Sequence, residues 1–262
     1  MKANYHTHTY RCNHAEGKDE DYVKAAIESG FEEIGFTDHS PWPLHPFEMG
    51  RIRMKLTQLD DYVSSIRHLQ EKYKNQITIY LGLEAEYFED RMDWLKETVE
   101  KYNLDYLVFG NHFYRFDVYN RYFGHYGDNE TVLEDYLAHA VKGMHSGLYR
   151  IFAHPDLWMR GYPVWDEKCS AITREICRVA KETNVYLEYN LGGVRDRVFK
   201  TSDYPDENFW KIVAEEGCPS VIGIDAHSPQ DFQDEALFIE TEAYLKNLGV
   251  NLKDKIQIKE EL

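Results

Sequence analysis

The sequence predicts an α/β protein folded as a closed β/α barrel, and three observations carry that expectation. Short apolar runs alternate with longer amphipathic segments about seven times along the chain. Such alternation builds a parallel sheet with right-handed crossovers. At 262 residues a closed barrel is favoured over an open sheet. In nearly every strand the ionisable residues gather at the carboxyl end, the face that carries the active site in β/α barrels.

The expected strands are 3–6, 33–37, 77–84, 106–110, 150–153, 185–190 and 221–225, each apolar and short enough to be buried. Helix-like segments lie between them. Residues 57–74 set Leu59, Val63, Ile66, Leu69 and Tyr73 on one face, and residues 166–183 do the same with Cys169, Ile172, Ile176 and Val179. Residues 132–147 and 207–217 also read as helices, and Gly30, Gly147 and Gly217 supply stop signals. Internal repeats, low-complexity tracts and Pro/Ser-rich linkers are absent from the sequence, so residues 1–262 read as one domain. The charged tail 253–262 is expected at the periphery.

Composition narrows the function classes. Hydrophobic residues at 43% and charged residues at 29% are ordinary for a soluble globular chain. A net charge of −16 repels polyanions, so nucleic acid is not an expected partner. The cysteines Cys12, Cys169, Cys177 and Cys218 show no C-x-x-C spacing and no disulfide framework. The start MKANYHTHTYRC has no apolar signal core, and no apolar run approaches the ~20 residues of a membrane span. A reducing cytoplasm is the expected location, without a membrane partner. Oligomeric state is not legible.

The strand ends carry the chemistry. The first strand runs into His6 and His8, the second into Asp38 and His39, and the third holds Glu84 and Glu86. The fourth delivers His112, the fifth His154 and Asp156, the sixth Glu188 and Asn190, and the seventh Asp225 and His227. With His14 from the loop after the first strand, seven of the twelve histidines converge on one mouth. A single strand-end histidine is ordinarily a hydrogen-bonded structural residue. Seven packed together without metal would lose hydrogen bonds or have to charge beside one another. Divalent cations resolve this, because neutral imidazole and carboxylate are their usual ligands. Seven histidines with Glu84 and Asp225 make nine candidate ligands, too many for one ion and enough for two, or for three with sharing. Glu84 and Glu86 face the same side of their strand, and spacing alone does not choose between them.

The ordered set H-T-H, T-D-H, a strand-end Glu, isolated strand-end histidines and D-A-H resembles the PHP (polymerase and histidinol phosphatase) superfamily from His6 to His227. His14 in R-C-N-H-A, and a length without appended domains, resemble its histidinol-phosphate phosphatase branch. The resemblance implies a distorted (β/α)7 barrel with three divalent ions at the mouth, zinc first, with iron or manganese as alternatives. The ligands it implies are His6, His8, His14, His39, Glu84, His112, His154, Asp225 and His227, so it selects Glu84 over Glu86. G-N-H-F around His112 departs from the S-V-H pattern of relatives. Asp38 either orients an imidazole or caps its turn. Cys12 is expected to pack rather than ligate.

The activity so implied is hydrolysis of a small phosphate ester, L-histidinol phosphate, by a metal-activated hydroxide in line with the leaving group. Arginines should hold the phosphate, and Arg160 and Arg197 are the expected ones. Arg160 follows the fifth strand, and Arg197 lies with Arg195 in LGGVRDR, a loop whose glycines would allow close approach to ligand. His227 or a metal-held water would protonate the leaving group. Tyr114, Phe116 and Asp117 are weaker candidates for contact with the rest of the substrate. Other readings are a family phosphoesterase for phosphotyrosine protein, nucleotide or oligonucleotide, and an amidohydrolase-type deaminase. The acidic surface opposes a polynucleotide substrate, and a deaminase would leave His14 and His39 without a role. A non-catalytic metal-binding module is the reading from a different class.

Overall fold

The structure, a computed structural model, describes residues 2–45, 47–48, 50–116, 122–125, 131–162, 164–199 and 204–258, with the side chains of 198 and 199 excepted. Asp117 lies outside the described residues.

Seven strands lie where alternation places them, with ends displaced by a residue or two. They are β1 Lys2–Asn4, β2 Phe31–Phe36, β3 Thr78–Ala85, β4 Tyr106–Gly110, β5 Ile151–Ala153, β6 Tyr186–Asn190 and β7 Pro219–Gly223. All pair in parallel and in sequence order. An eighth strand, β8 (Asn251–Leu252), adds to the lower end of β7 through Pro219↔Asn251. The sheet curls until the chain beyond β1 meets the chain beyond β7. There Thr7 bridges Ala226, the His8 N–H donates to the Ala226 carbonyl at 2.9 Å and the Ala226 N–H to the His6 carbonyl at 3.2 Å. Closure at the top, with β8 wedged at the bottom, is the distortion of the seven-stranded barrel.

Among the described residues eight α-helices wrap the outside: α1 Asp19–Glu28, α2 Leu59–Tyr73, α3 Met92–Tyr102, α4 Val132–His145, α5 Glu167–Thr183, α6 Leu191–Phe199, α7 Glu207–Glu215 and α8 Glu235–Leu248. The α2 face buries Leu59, Ile66, Leu69 and Tyr73 as its period requires, with Tyr62 added and Val63 partly covered. Helix α5 starts on Asp166, whose carboxylate accepts from the Cys169 N–H at 3.0 Å, and it buries all four expected apolar residues. The segment LGGVRDR, expected as a loop, is the start of α6. Its two glycines gave no helical period to read, and the helix is held by its packing instead.

Alternation along the strands separates two cores. Outward residues join the helices in the larger one. Inward residues Ala3, Tyr5, Tyr106, Val108, Ile151, Ala153 and Val221 fill the barrel. Ile256 and Ile258 complete that inner cluster from below. The tail is therefore not peripheral through residue 258. Lys255 and Gln257 alternate with the two isoleucines, so one side of the tail plugs the barrel while Lys255 pairs with Glu33 at 2.8 Å. Upward from the tyrosine layer the same inward parity reads Gly82 and Glu84 on β3 with Glu86 just beyond it, Gly110–His112 after Val108, and Gly223–Asp225 after Val221. The polar mouth is the continuation of the barrel interior.

Candidate metal centre

Glu84 stands at the centre of the mouth with 1% exposure. Its Oε1 lies 3.2 Å from His112 Nε2 and 3.1 Å from His154 Nε2, and those two nitrogens are 3.2 Å apart. Its Oε2 lies 3.0 Å from His39 Nδ1 and 3.5 Å from both His6 Nε2 and His8 Nε2. His6 and His8 meet at 3.1 Å, and Asp225 Oδ1 joins them at 3.5 and 3.0 Å. A third group stands at the rim, where His14 Nε2 and His227 Nε2 are 2.9 Å apart. His8, His39 and His227 offer ligand atoms within 4.8 Å of one another just below. All nine expected residues are thus brought together.

Backbone conformation aims several of them. His154 and Asp225 have φ of +36° and +52°, in the left-handed region that costs of order 1–3 kcal/mol without glycine. These turns fold the side chains back over the barrel instead of along the strand. Gly110 makes room for the central carboxylate, because a Cβ there would lie 2.5 Å from Glu84 Oε1. Gly223 does the same for Glu188, whose Oε2 would lie 2.2 Å from an added Cβ. The loop carrying His14 is pinned by Arg11, which is buried between Asp19 at 2.8 Å and Asp61 at 2.7 Å.

The residues behind the imidazoles decide their tautomers. His14 Nδ1 faces the Cys12 carbonyl at 2.9 Å, and His227 Nδ1 faces the Asp225 carbonyl at 3.0 Å. A carbonyl only accepts, so each Nδ1 carries the proton, and in a neutral ring each Nε2 presents a lone pair. Burial and the neighbouring His8 push the His227 pKa down to about 3, which keeps that ring neutral. His6 gives Nδ1 to Glu188 at 2.9 Å and His112 gives Nδ1 to Glu86 at 3.1 Å. Asp38 accepts from the His39 N–H at 2.8 Å, accepts from Thr9 Oγ1, and has an oxygen 3.7 Å from His8 Nδ1. Its cap on the turn is a hydrogen bond, whereas its contact with the imidazole is a looser charge contact.

A divalent ion fits this set. Metal–nitrogen bonds of about 2.0–2.1 Å place tetrahedral ligands about 3.3–3.4 Å apart, and the closest contacts of the three groups bracket that spacing. Glu84 Oε2 and Asp225 Oδ1 are buried and accept no hydrogen bond. Two opposed lone pairs and two unpaired carboxylate oxygens are what cations between them would satisfy. Cys12 is fully buried, and burial raises its thiol pKa far above the ordinary value, in keeping with packing.

Above the ligands opens a cavity of about 820 Å³. Arg160 lines it, donating to the Tyr122 hydroxyl at 3.1 Å and to Asp196 at 3.2 Å. Arg197 does not line it and instead donates to the Tyr204 carbonyl at 3.1 Å. Arg195 takes the place expected of Arg197. Two residues on a helix are about 200° apart, so α6 turns only one of them to the mouth. Arg195 Nη2 donates to the Ile224 carbonyl at 2.7 Å, and its Nη1 has no hydrogen-bond partner. Tyr114 and Phe116 line a different cavity, of about 460 Å³, beside Tyr87 and His139. The aromatic wall of the mouth is Phe113, Tyr122 and Tyr204. Of the His227 ring nitrogens, Nδ1 faces the Asp225 carbonyl and Nε2 faces His14. Sequence reasoning also assigned no role to Glu188, Glu86 or Asn190. The signal for them was their inward parity with Glu84 and Asp225. Asn190 ties the mouth together, donating to Glu188 at 2.6 Å and Asp225 at 3.2 Å and accepting from the Gly193 N–H at 2.9 Å.

Fold and mouth define a β/α-barrel protein with a candidate metal centre of histidines and carboxylates at the strand ends. The chain belongs to the PHP domain family, whose model matches residues 4–191. It is 30% identical over 256 residues to a probable histidinol-phosphatase of Schizosaccharomyces pombe, covering 87% of this chain and 81% of that one. It is 28% identical over 229 residues to a probable histidinol-phosphatase of Deinococcus radiodurans, covering 86% and 85%. Among solved structures, the histidinol phosphate phosphatase of Lactococcus lactis, complexed with zinc, L-histidinol and phosphate, superposes with a TM-score of 0.73. It is 20% identical, over 96% of this chain and 95% of that one.

Proposed function

We propose that this protein is a phosphoric monoester hydrolase that converts L-histidinol phosphate and water to L-histidinol and phosphate. The observation that carries the reading is the division of the cavity. Its base presents eight of the nine metal-ligand candidates, with His6 buried beneath them, its wall presents Arg160 and Arg195, and its lining also holds Glu16, Asp196 and Asp231. A phosphate dianion suits the base and the arginines, while the cationic amine of the substrate suits the carboxylates. The names of the two curated relatives agree with this chemistry.

His6, His8, Glu84 and Asp225 would hold one ion, His39, Glu84, His112 and His154 a second, and His14, His227 and neighbouring atoms a third. Zinc suits the nitrogen-rich set. Such ions, when bound, polarise phosphate oxygens and lower the pKa of water toward 7. The chain's own residues do the rest. Glu188, Glu86 and the Cys12 and Asp225 carbonyls fix the imidazoles in the tautomer that presents Nε2. Arg160, backed by Asp196 and Tyr122, and Arg195, fixed on the Ile224 carbonyl, hold non-reacting phosphate oxygens. Phe113 and Leu157 restrict water beside the ester.

Steady-state kinetics of zinc-loaded protein on L-histidinol phosphate, phosphotyrosine, nucleotides and sugar phosphates tests the assignment. Histidinol phosphate should lead by at least ~100-fold in kcat/KM, equivalent to ~2.7 kcal/mol. A smaller lead would assign the site to another phosphate ester. No helix among the described residues is long and apolar enough to cross a membrane.

A further inference from the structure

Arg53 sits in the segment between β2 and α2, next to Ile52 of the cavity wall, and is 1% exposed. Its Nη1 donates to the Ser40 carbonyl at 2.8 Å, and its Nη2 donates to Glu86 Oε1 at 2.9 Å. Its own carbonyl accepts from Asn13 Nδ2 at 2.9 Å. Each partner adjoins a candidate ligand. Ser40 follows His39, and its N–H donates to the Glu84 carbonyl at 2.8 Å. The Glu86 oxygen that Arg53 grips is the one facing His112 Nδ1 at 3.1 Å, while Trp42 Nε1 donates to the other oxygen at 2.7 Å. Asn13 precedes His14. One buried side chain and its carbonyl therefore join three separate stretches of chain that deliver His14, His39 and Glu84, and through Glu86 they reach the ring of His112.

Packing alone does not require this arrangement. A buried guanidinium is costly unless its donors are met, and here they are met by groups that orient the mouth. The planar fork reaches a carbonyl on one strand end and a carboxylate on the next in fixed directions, which an ammonium cannot reproduce. We infer that Arg53 is a positioning residue for metal binding. By fixing Ser40 and Glu86 together, it sets the spacing of His39, Glu84 and His112, and hence the affinity for the divalent ion they hold. The inference rests on the reading of those three residues as metal ligands.

The test is zinc titration of metal-free protein against a competing chelator, for the wild type, Arg53→Lys and Arg53→Met, with circular dichroism as the check on folding. Loss of a group that orients a ligand costs about 10–100-fold in metal affinity. Both variants should lose about that much for one ion, and Arg53→Lys should lose it despite keeping the charge. Their kcat should recover in excess zinc at unchanged KM, which a substrate-binding or purely structural role would not give. Affinity within twofold of wild type in folded Arg53→Lys overturns the inference. Should Arg53→Met fail to fold, the visible spectrum of cobalt-substituted Arg53→Lys decides. Bands shifted from wild type support the role, and superimposable bands overturn it. A wild-type protein that takes up no zinc would overturn the ligand reading beneath it, a result distinct from wild-type affinity in the variants.

Discussion

The Nε2 atoms of His14 and His227 face each other at 2.9 Å, although each ring has already given its Nδ1 proton to a backbone carbonyl. Two lone pairs at that distance repel unless a cation lies between them. His227→Ala should therefore lower zinc content by one ion per chain, read by elemental analysis after dialysis. The kcat on the phosphate ester should drop by at least ~100-fold, the equivalent of ~2.7 kcal/mol of charge stabilisation. Full zinc content with wild-type turnover would remove His227 from the ligand set.

Zinc uptake should expel protons. Burial opposes charge on His8, but the Asp225 carboxylate at 3.0 Å and the Asp38 carboxylate at 3.7 Å outweigh it and raise its pKa to about 9. Burial likewise opposes charge on His112, and the Glu84 and Glu86 carboxylates outweigh it and raise its pKa to about 10. Both rings carry protons at pH 7 in the metal-free chain, and zinc takes only the neutral form. His8 and His112 would face different ions, so affinity for each ion should rise about tenfold per pH unit between pH 7 and 9, one proton apiece, and level off above about 9 for the first and about 10 for the second. The same shifts stabilise the metal-free fold fully below the ordinary histidine pKa near 6.5. That stabilisation is lost as pH rises through about 9 and then about 10. Calorimetry in two buffers of different ionisation heat counts the protons, and release of fewer than one contradicts the assignment.

The two arginines of α6 should separate. Arg195→Ala removes a guanidinium from the cavity wall and should raise KM for the phosphate ester about 10–100-fold, the range of a charged hydrogen bond of ~1.5–3 kcal/mol. Arg197→Ala, which touches the Tyr204 carbonyl from outside the cavity, should change kcat/KM less than about threefold. Equal effects would mean that both side chains reach the phosphate.

The tail should matter to stability and not to chemistry. Ile256 is 8% exposed within the barrel cluster. Ile256→Ala should lower unfolding free energy by roughly 2–5 kcal/mol, read by urea denaturation, with kcat unchanged. A variant as stable as wild type would place the tail off the barrel.

Much of the site was legible because strand periodicity is strict. Once seven strands are aligned, their carboxyl ends bring Glu84, His112 and Asp225 to one mouth, and the H-x-H and D-A-H pairs fall there with them. The choice of Glu84 over Glu86 needed more than parity, since both point inward. In the folded chain Glu84 meets the imidazoles of four neighbouring strands, while Glu86, one layer higher, meets Arg53 and Trp42. Arg160 lines the cavity, whereas the choice between Arg195 and Arg197 was open for a related reason. Their number along the chain was visible, but whether LGGVRDR was loop or helix was not, and helical phase decides which one faces the mouth. The charges of the tail point to the surface, and two alternating isoleucines, Ile256 and Ile258, are too short a pattern to announce that it enters the barrel.

By itself the sequence determined the order of strands and helices, the gathering of the ligands at the strand ends and the chemistry they suit, because these follow from local periodicity and side-chain type. Only the tertiary structure decided which carboxylate is central, which nitrogen of each imidazole is free, and that Arg53 links three ligand-bearing segments. Apart from the local bonds of His14 to Cys12 and His227 to Asp225, those are contacts between residues tens to hundreds of positions apart. They exist only once curling of the sheet brings β1 against β7 and turns the strand ends toward a common axis.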